Sequence, residues 1–475
     1  MLTKMLSAEE RFALGEQRRK AMRRMEHAAW DAGKRRESPL KLLAASMAGR
    51  VSSLVALKYE RMAASPFGYF RGAVPVMAYD FSVLPNTEMT TQLCGDAHVR
   101  NLGAYAGPDG RLVFDINDFD ETIAGPFEWD VKRMATSLML AGREAGAKNV
   151  HCREAAAVFL ERYRMTMWEL SRMAVLEVGR YQVHRLRNVA PVSGILRMAE
   201  RATPLHTLEV LTEPVASAAK VSDSAKKKKG AAKHREKGDG KQAVLKASAR
   251  RFKAIKPVLT RVTGLVEQQV LDSLAMYAEC LEPQRQHLLS QYRPLDVAFK
   301  VVGTGSVGMR DYVIYMQGNG PKDPLFLQVK EEAESGYAQY VGAGGRRSKE
   351  HQGRRVVEGE RAMQVQSDPF LGWTTIDGRE YLVRQLNDHK ASIEMADLTA
   401  AGLMEYAGVC GELLARGHAR SGSCSMLAGY LGTSDRFDAA VGRFAEAYAD
   451  QTEKDWKELV RSRQKRVGKR TAGKG

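Results

Sequence analysis

The spacing of apolar residues divides the chain into blocks of different period. Residues 1–60 predict helices: AEERFALGEQRRKAMRRMEHAAW is rich in helix formers, and SPLKLLAASMAGRVSSLVALKYERMAAS repeats apolar residues at helical spacing. Ser65-Pro66 breaks that pattern. Short apolar runs at Leu102–Tyr105 and Leu112–Ile116 then flank a Gly-Pro-Asp-Gly turn and predict a hairpin. Helical spacing returns from Glu128 to about Arg187. Between 294 and 390 the pattern shortens to β-rich runs separated by glycines, DVAFKVVG, DYVIYMQG, LFLQVKE and EYLVRQL, with one helix at about Arg354–Gln366. Residues 396–460 are helical again. The order is helices, hairpin, helices, small sheet with one helix, helices. It predicts an α+β fold of two lobes, the larger one mostly helical, rather than the alternating βα of a doubly wound sheet.

Length and charge refine this division. A chain of 475 residues accommodates two to four domains, or two lobes and an appendage. We divide it into an N-terminal helical entry (1–90), a hairpin-bearing part of the helical lobe (91–219), a basic linker (220–253), a helical segment (254–293), a β-rich lobe (294–392), helices completing the larger lobe (393–460) and a basic tail (461–475). The net charge of +17 first suggests a nucleic-acid partner. However, 220–253 carries 13 basic and 3 acidic side chains and 461–475 carries 7 basic and none acidic. These two segments hold the whole excess, and the body is neutral. Neither segment interleaves aromatics for base stacking. They read as a solvated loop and a frayed tail, with weak non-specific nucleic-acid contact as the expected consequence. No apolar run of about 18 residues exists, so no membrane span is expected. The start lacks a secretory stretch, and five scattered cysteines without a CxxC pair exclude a disulfide framework. A cytoplasmic location is expected.

Two constellations carry chemistry. The first is Gly95-Asp96-Ala97-His98-Val99-Arg100-Asn101, followed past the hairpin by Asn117-Asp118-Phe119-Asp120. Phosphoryl transfer needs a carboxylate near the attacking hydroxyl and oxygen ligands for Mg²⁺. A kinase catalytic loop supplies an Asp and, five residues on, an Asn; Asp96 and Asn101 have that spacing, and Asp118 stands where a metal-binding Asp would follow. Asp, Asn and Gly also simply make turns, but the two motifs in this order, joined by a hairpin, favour function. The second constellation is Gly303-Thr304-Gly305-Ser306-Val307-Gly308. A strand-like run follows it, whereas in a Rossmann unit the third glycine opens a helix. A glycine-rich turn between strands is the kinase arrangement, covering nucleotide phosphates. Lys330 ends the next strand and would reach the α- and β-phosphates. Glu358, with Glu360 as runner-up, is expected to pair with it from the following helix. The nucleotide half thus follows the catalytic half, as in a circular permutation of one fold, which is tolerable where termini lie close together.

SPFGYFRGA, LCGDAHVRN, FDINDFDET, GPFEWDVKRMA, SDPFLGW and YAGVCGELLARGHARSG resemble the uncharacterised bacterial domain of unknown function 2252 family over nearly the whole chain. GDxHxxN and the later GPxxWD are similar to the aminoglycoside- and choline-phosphotransferase branch of the kinase-like fold. That resemblance implies Asp96 as base, Asn101 and Asp118 as metal ligands and Asp130 as a structural aspartate holding the catalytic loop. Cys94 departs from the His often found two before the aspartate, which puts the bracing of the loop in question. His98 would polarise a phosphate or brace the loop. Arg71 would meet an anionic substrate or make an ion pair. His418 reads as a helix-end cap.

These features lead to an ATP- and Mg²⁺-dependent phosphotransferase. Only 12 positions separate Asp118 from Asp130, too few for the activation segment of a protein kinase, so a small-molecule acceptor is expected. Nucleotidyl transfer at the same site and a non-catalytic nucleotide-binding regulatory module are the alternatives. Intact Asp96, Asn101, Asp118 and Lys330 argue against the second.

Overall fold

The structure, a computed structural model, describes residues 5–183, 188–215, 250–301, 303–341, 350–386, 391–394, 397–398 and 400–472. Most of the basic linker, 220–249, lies outside them. The rest is a mixed α+β protein with antiparallel sheets. Among the described residues no helix is long and apolar enough to cross a membrane.

A six-stranded antiparallel sheet takes the order Gly372–Ile376, Arg379–Gln385, Pro324–Glu331, Asp311–Gln317, Arg293–Lys300, Leu259–Val262. Its central strands are buried on both faces, which is why they read as continuous apolar runs. Tyr312, Ile314, Leu327 and Val329 pack with Val270 and Tyr277 of the helix Leu265–Glu279. Val313, Tyr315 and Phe326 face the other way, onto Leu208, Phe252 and Leu386. Because side chains alternate along a strand, Lys330 lies on the Phe326 face. There the apolar layer ends and the sheet meets the helical part of the molecule.

That helical part is built on the helices Phe127–Glu144, Asn149–Leu170, Ala400–Ser421 and Arg436–Ala472. Every residue from Phe127 to Gly142 is buried, so any polar group there needs an internal partner. Asp130 and Arg133 are two such groups. Against this core lie a three-stranded sheet, Ala391–Ser392, Leu102–Ala106 and Leu112–Ile116, and the pair Thr90–Leu93 with Ile123–Pro126.

Several elements differ from the sequence expectation. Ser65-Pro66 begins a helix as well as ending one: the Ser65 hydroxyl accepts from Gly68 N–H, and Pro66 occupies the first turn of Pro66–Gly72. The segment 254–293, read as helical, opens with the edge strand Leu259–Val262. The tail from 461, read as frayed, continues the helix Arg436–Ala472. The strand Gly372–Ile376 escaped the pattern because Gly372 abuts Tyr277 and Cys280 where a side chain is expected.

Candidate active site

The loop carrying Asp96 leaves the strand Thr90–Leu93 through Gly95, whose φ is +81°. A Cβ there would also collide with the Glu121 carbonyl, so glycine is required twice over. Asp130 holds the turn: its Oδ2 accepts from Cys94 N–H at 2.7 Å and its Oδ1 from Gly95 N–H at 3.0 Å. His418 completes the brace. Its Nε2 lies 3.4 Å from Asp130 Oδ2 and its Nδ1 2.8 Å from the Tyr163 hydroxyl, with no solvent exposure. The expected helix-end cap is therefore a buried strut, and it supplies from another helix the support that Cys94 lacks.

Asp96 is clamped on one side. Its Oδ1 accepts from Arg133 Nε at 2.9 Å and from Nη2. Arg133 is fully buried, donates to the Phe70 carbonyl at 3.1 Å and lies 4.2 Å over the Phe70 ring. Burial alone would raise the Asp96 carboxyl, but Arg133 and His98 outweigh it and hold Asp96 well below the usual carboxylate range. His98 Nε2 stands 3.5 Å from Asp96 Oδ2 and accepts from Arg71 Nε at 3.3 Å. Burial lowers the His98 pKa. Its Nδ1 is buried with no hydrogen-bond partner among the described residues.

Asn101 joins the two motifs. Its Nδ2 donates to the Asp96 carbonyl at 3.0 Å and to the Asp118 carbonyl at 2.8 Å. Its Oδ1 is buried with no hydrogen-bond partner among the described residues. Asp118 opens into the cleft with 49% of its side chain exposed, 3.7 Å from Lys330 Nζ. Lys330 itself is 3% exposed and pairs more closely with Asp120. Burial pulls the lysine down, but Asp118, Asp120 and Glu332 overcome it and raise its pKa. In return, Lys330 lowers Asp118 against the effect of burial, while burial and Asp118 push Asp120 up to about 6.

The expected partner of Lys330 is corrected. Glu358 is exposed and pairs with Arg354 Nε at 2.7 Å. Glu360 is buried and adds to the charge that stabilises Arg384. Arg354 and Glu358, four residues apart, share the solvent face of Gln352–Met363, whereas Arg355 and Gly359 share the face against Thr122. Arg355 donates to the carbonyls of Asp120 at 2.8 Å and Ala333 at 2.9 Å. The helix therefore supports Lys330 through backbone carbonyls near its carboxylate partners. Glu358→Ala is expected to leave any ligand affinity at the cleft unchanged and to cost at most about 0.5 kcal/mol, checked by calorimetry and urea unfolding.

The glycine-rich turn is held from outside. Arg61 donates to the Gly303 carbonyl, Lys58 to those of Thr304 (3.3 Å) and Gly305, and Arg50 to Val307 (2.7 Å). The Gly308 carbonyl accepts from Val51 N–H at 2.7 Å. Gly308 has φ +91°, so the turn leaves toward Asp311–Gln317 in a conformation that favours glycine. The helix Ser52–Ala63 and Arg50 thus fix the turn's carbonyl edge. Sequence reading missed all three cations, because nothing in the helical pattern marks Lys58 as a buried residue, 2% exposed. Burial and Arg50 bring Lys58 down to about 7.

One cleft gathers these parts. Asp96, His98 and Asp118 line it together with Gly303, Gly305 and Ser306, while Gly308 anchors the turn behind it. Asp120 also lines it, and its partner Lys330 stands 210 positions away in the chain. The end of the helix Ala400–Ser421 lies against the strand that leads into Asp96: Gln92 N–H donates to Ser421 Oγ at 3.2 Å.

The molecule is thus a mixed α+β protein with a polar cleft where its main sheet meets its helices. The chain belongs to the bacterial family described as "Uncharacterized protein conserved in bacteria (DUF2252)", whose model matches residues 50–462. That span starts at Arg50 and includes Asp96, His98, Asp118 and the glycine-rich turn. No curated protein and no solved structure matches the chain significantly.

Proposed function

We propose that this protein is an ATP- and Mg²⁺-dependent phosphotransferase with a kinase-like, circularly permuted fold, acting on a small-molecule acceptor. The observation that carries the reading is the meeting, in one cleft, of Asp96 and Asp118, whose carbonyls Asn101 bridges, with the glycine-rich turn, and the pairing of Lys330 with Asp118 and Asp120. The order turn, lysine strand, helix supports it, as does the contact between Ser421 and Gln92 that brings the later half of the chain to the entry of the catalytic loop.

The roles follow from the geometry. Asp96, ionised and clamped on Oδ1, orients the acceptor hydroxyl with Oδ2. The hydroxyl loses its proton to that carboxylate as its oxygen bonds the γ-phosphorus and the bond from that phosphorus to ADP breaks. His98 positions Asp96. Lys330 offers its ammonium to the nucleotide phosphates, while the turn covers them. Asn101 Oδ1, buried without a partner among the described residues, and the Asp118 carboxylate fit a hard cation. Among the described residues no three His, Cys, Asp or Glu side chains form a metal cage. Mg²⁺ needs only one or two protein oxygens and fills its remaining positions with water and phosphate. When bound, Mg²⁺ would neutralise charge on the phosphates. The strand Ile123–Pro126 and the start of the next helix fill the interval from Asp118 to Asp130, leaving little to dock a peptide.

Calorimetry of ATP with Mg²⁺ tests the reading. Lys330→Ala and Asp118→Ala are each expected to weaken binding at least about tenfold, the loss of one charge-assisted contact. Unchanged affinity in both variants would place the nucleotide elsewhere.

A further inference from the structure

The cleft contains a guanidinium that this chemistry leaves unused. Arg71, near the end of the helix Pro66–Gly72, uses Nε to donate to His98. Its two terminal nitrogens have no hydrogen-bond or ion-pair partner among the described residues, and its side chain lines the cleft. Burial, reinforced by Arg100, lowers its pKa, the mark of a cation removed from water without a sufficient counter-charge. The other cations on this wall are differently employed, since Arg50 and Lys58 donate to carbonyls of the glycine-rich turn. With Nε anchored, the remaining nitrogens of Arg71 form the planar fork suited to a carboxylate or phosphate.

We propose that Arg71 binds an anionic group on the acceptor, so that the substrate is a hydroxyl compound bearing a phosphate or a carboxylate. The proposal rests on the phosphotransferase reading for the identity of the ligand as acceptor. Two observations place the anion on the acceptor rather than on the nucleotide. Arg71 is tied to His98, two residues from Asp96, the group that must meet the acceptor hydroxyl. Lys330 is tied instead to Asp118 and Asp120, on the metal side of the cleft. A guanidinium anchored beside the base would also set the distance between the acceptor's anion and the hydroxyl to be phosphorylated, which is how a positioning contact limits substrate choice.

Inorganic phosphate is the probe. It is titrated into the full chain, both free and saturated with a non-hydrolysable ATP analogue and Mg²⁺, for the parent, Arg71→Gln and Arg71→Lys. The parent is expected to bind phosphate in both states. Arg71→Gln should weaken that binding at least about tenfold and Arg71→Lys should recover part of it, while affinity for the analogue stays within about threefold of the parent. Thermal melts that match the parent show that the variants are folded, and Arg71→Lys keeps the charge should Arg71→Gln unfold. Equal phosphate affinity in parent and Arg71→Gln overturns the proposal. So does a parent whose phosphate binding disappears on saturation with the analogue, together with a weakened analogue in Arg71→Gln, because Arg71 then serves the nucleotide. Failure of the analogue to bind the parent overturns the phosphotransferase reading instead, and the titration of the free protein still decides whether Arg71 holds an anion.

Discussion

Asp96→Ala is expected to abolish the proposed phosphoryl transfer and to lower stability by about 3 kcal/mol, because removing one member of a buried ion pair strands the other. Arg133 is fully buried in the helix Phe127–Glu144, and Asp96 is the carboxylate it pairs with. Without Asp96, the guanidinium keeps, among the described residues, only the Phe70 carbonyl, the Phe70 ring and the Met77 sulfur. The figure sits at the lower end for such pairs because the Asp96 side chain retains 17% exposure and so pays less to be buried. The double variant Asp96→Ala, Arg133→Met removes both charges and should regain most of the lost stability while remaining inactive. Urea unfolding and an assay of ADP release separate the two roles. A single variant as stable as the parent would show that Arg133 does not depend on Asp96.

Asp311→Asn should make the protein more stable at neutral pH, by up to about 3 kcal/mol. Asp311 is 2% exposed; its Oδ2 accepts from Gln328 Nε2 at 2.6 Å, and its Oδ1 has no hydrogen-bond partner among the described residues. Burial pushes its pKa up to about 6, against the pull of Lys330 and Lys300. The unfolded chain ionises it near about pH 4. Between those values the native state holds more protons than the unfolded one, so stability falls as pH rises and the full cost is present above about 6. Asn carries no such cost. Denaturant midpoints measured from pH 4 to 8 should show the variant's advantage near its maximum at pH 7.5 and shrinking toward pH 4. An advantage independent of pH would show that Asp311 titrates normally.

Much of the candidate site was legible because the residues proposed to carry its chemistry lie in short motifs, as neighbours in sequence. Asp96 and Asn101 lie on one turn, and the hairpin Leu102–Ala106 with Leu112–Ile116 returns the chain to Asp118. Lys330 followed from its place at the end of a β-rich run after a glycine-rich turn. The supports were less visible. Arg133 and His418 lie on helices whose period announces only a buried face, and both are polar residues buried there against Asp96 and Asp130. Glu358 shows the opposite failure: helical spacing placed a glutamate on the right element, but the rotation of that helix against Thr122 was not written in the spacing, and the residue faces solvent.

The sequence by itself determined the kinds of element, their order and the motif residues, since periodicity, glycine placement and short-range spacing are local properties of a chain. Only the tertiary structure decided which distant groups meet. It paired Lys330 with Asp118 and Asp120, set Arg50, Lys58 and Arg61 against the carbonyls of the glycine-rich turn, and left the fork of Arg71 facing the cleft. Such pairings depend on how helices rotate and sheets pack once apolar faces are buried. A buried charge takes whichever opposite charge or carbonyl that packing brings within reach, whatever its distance along the chain.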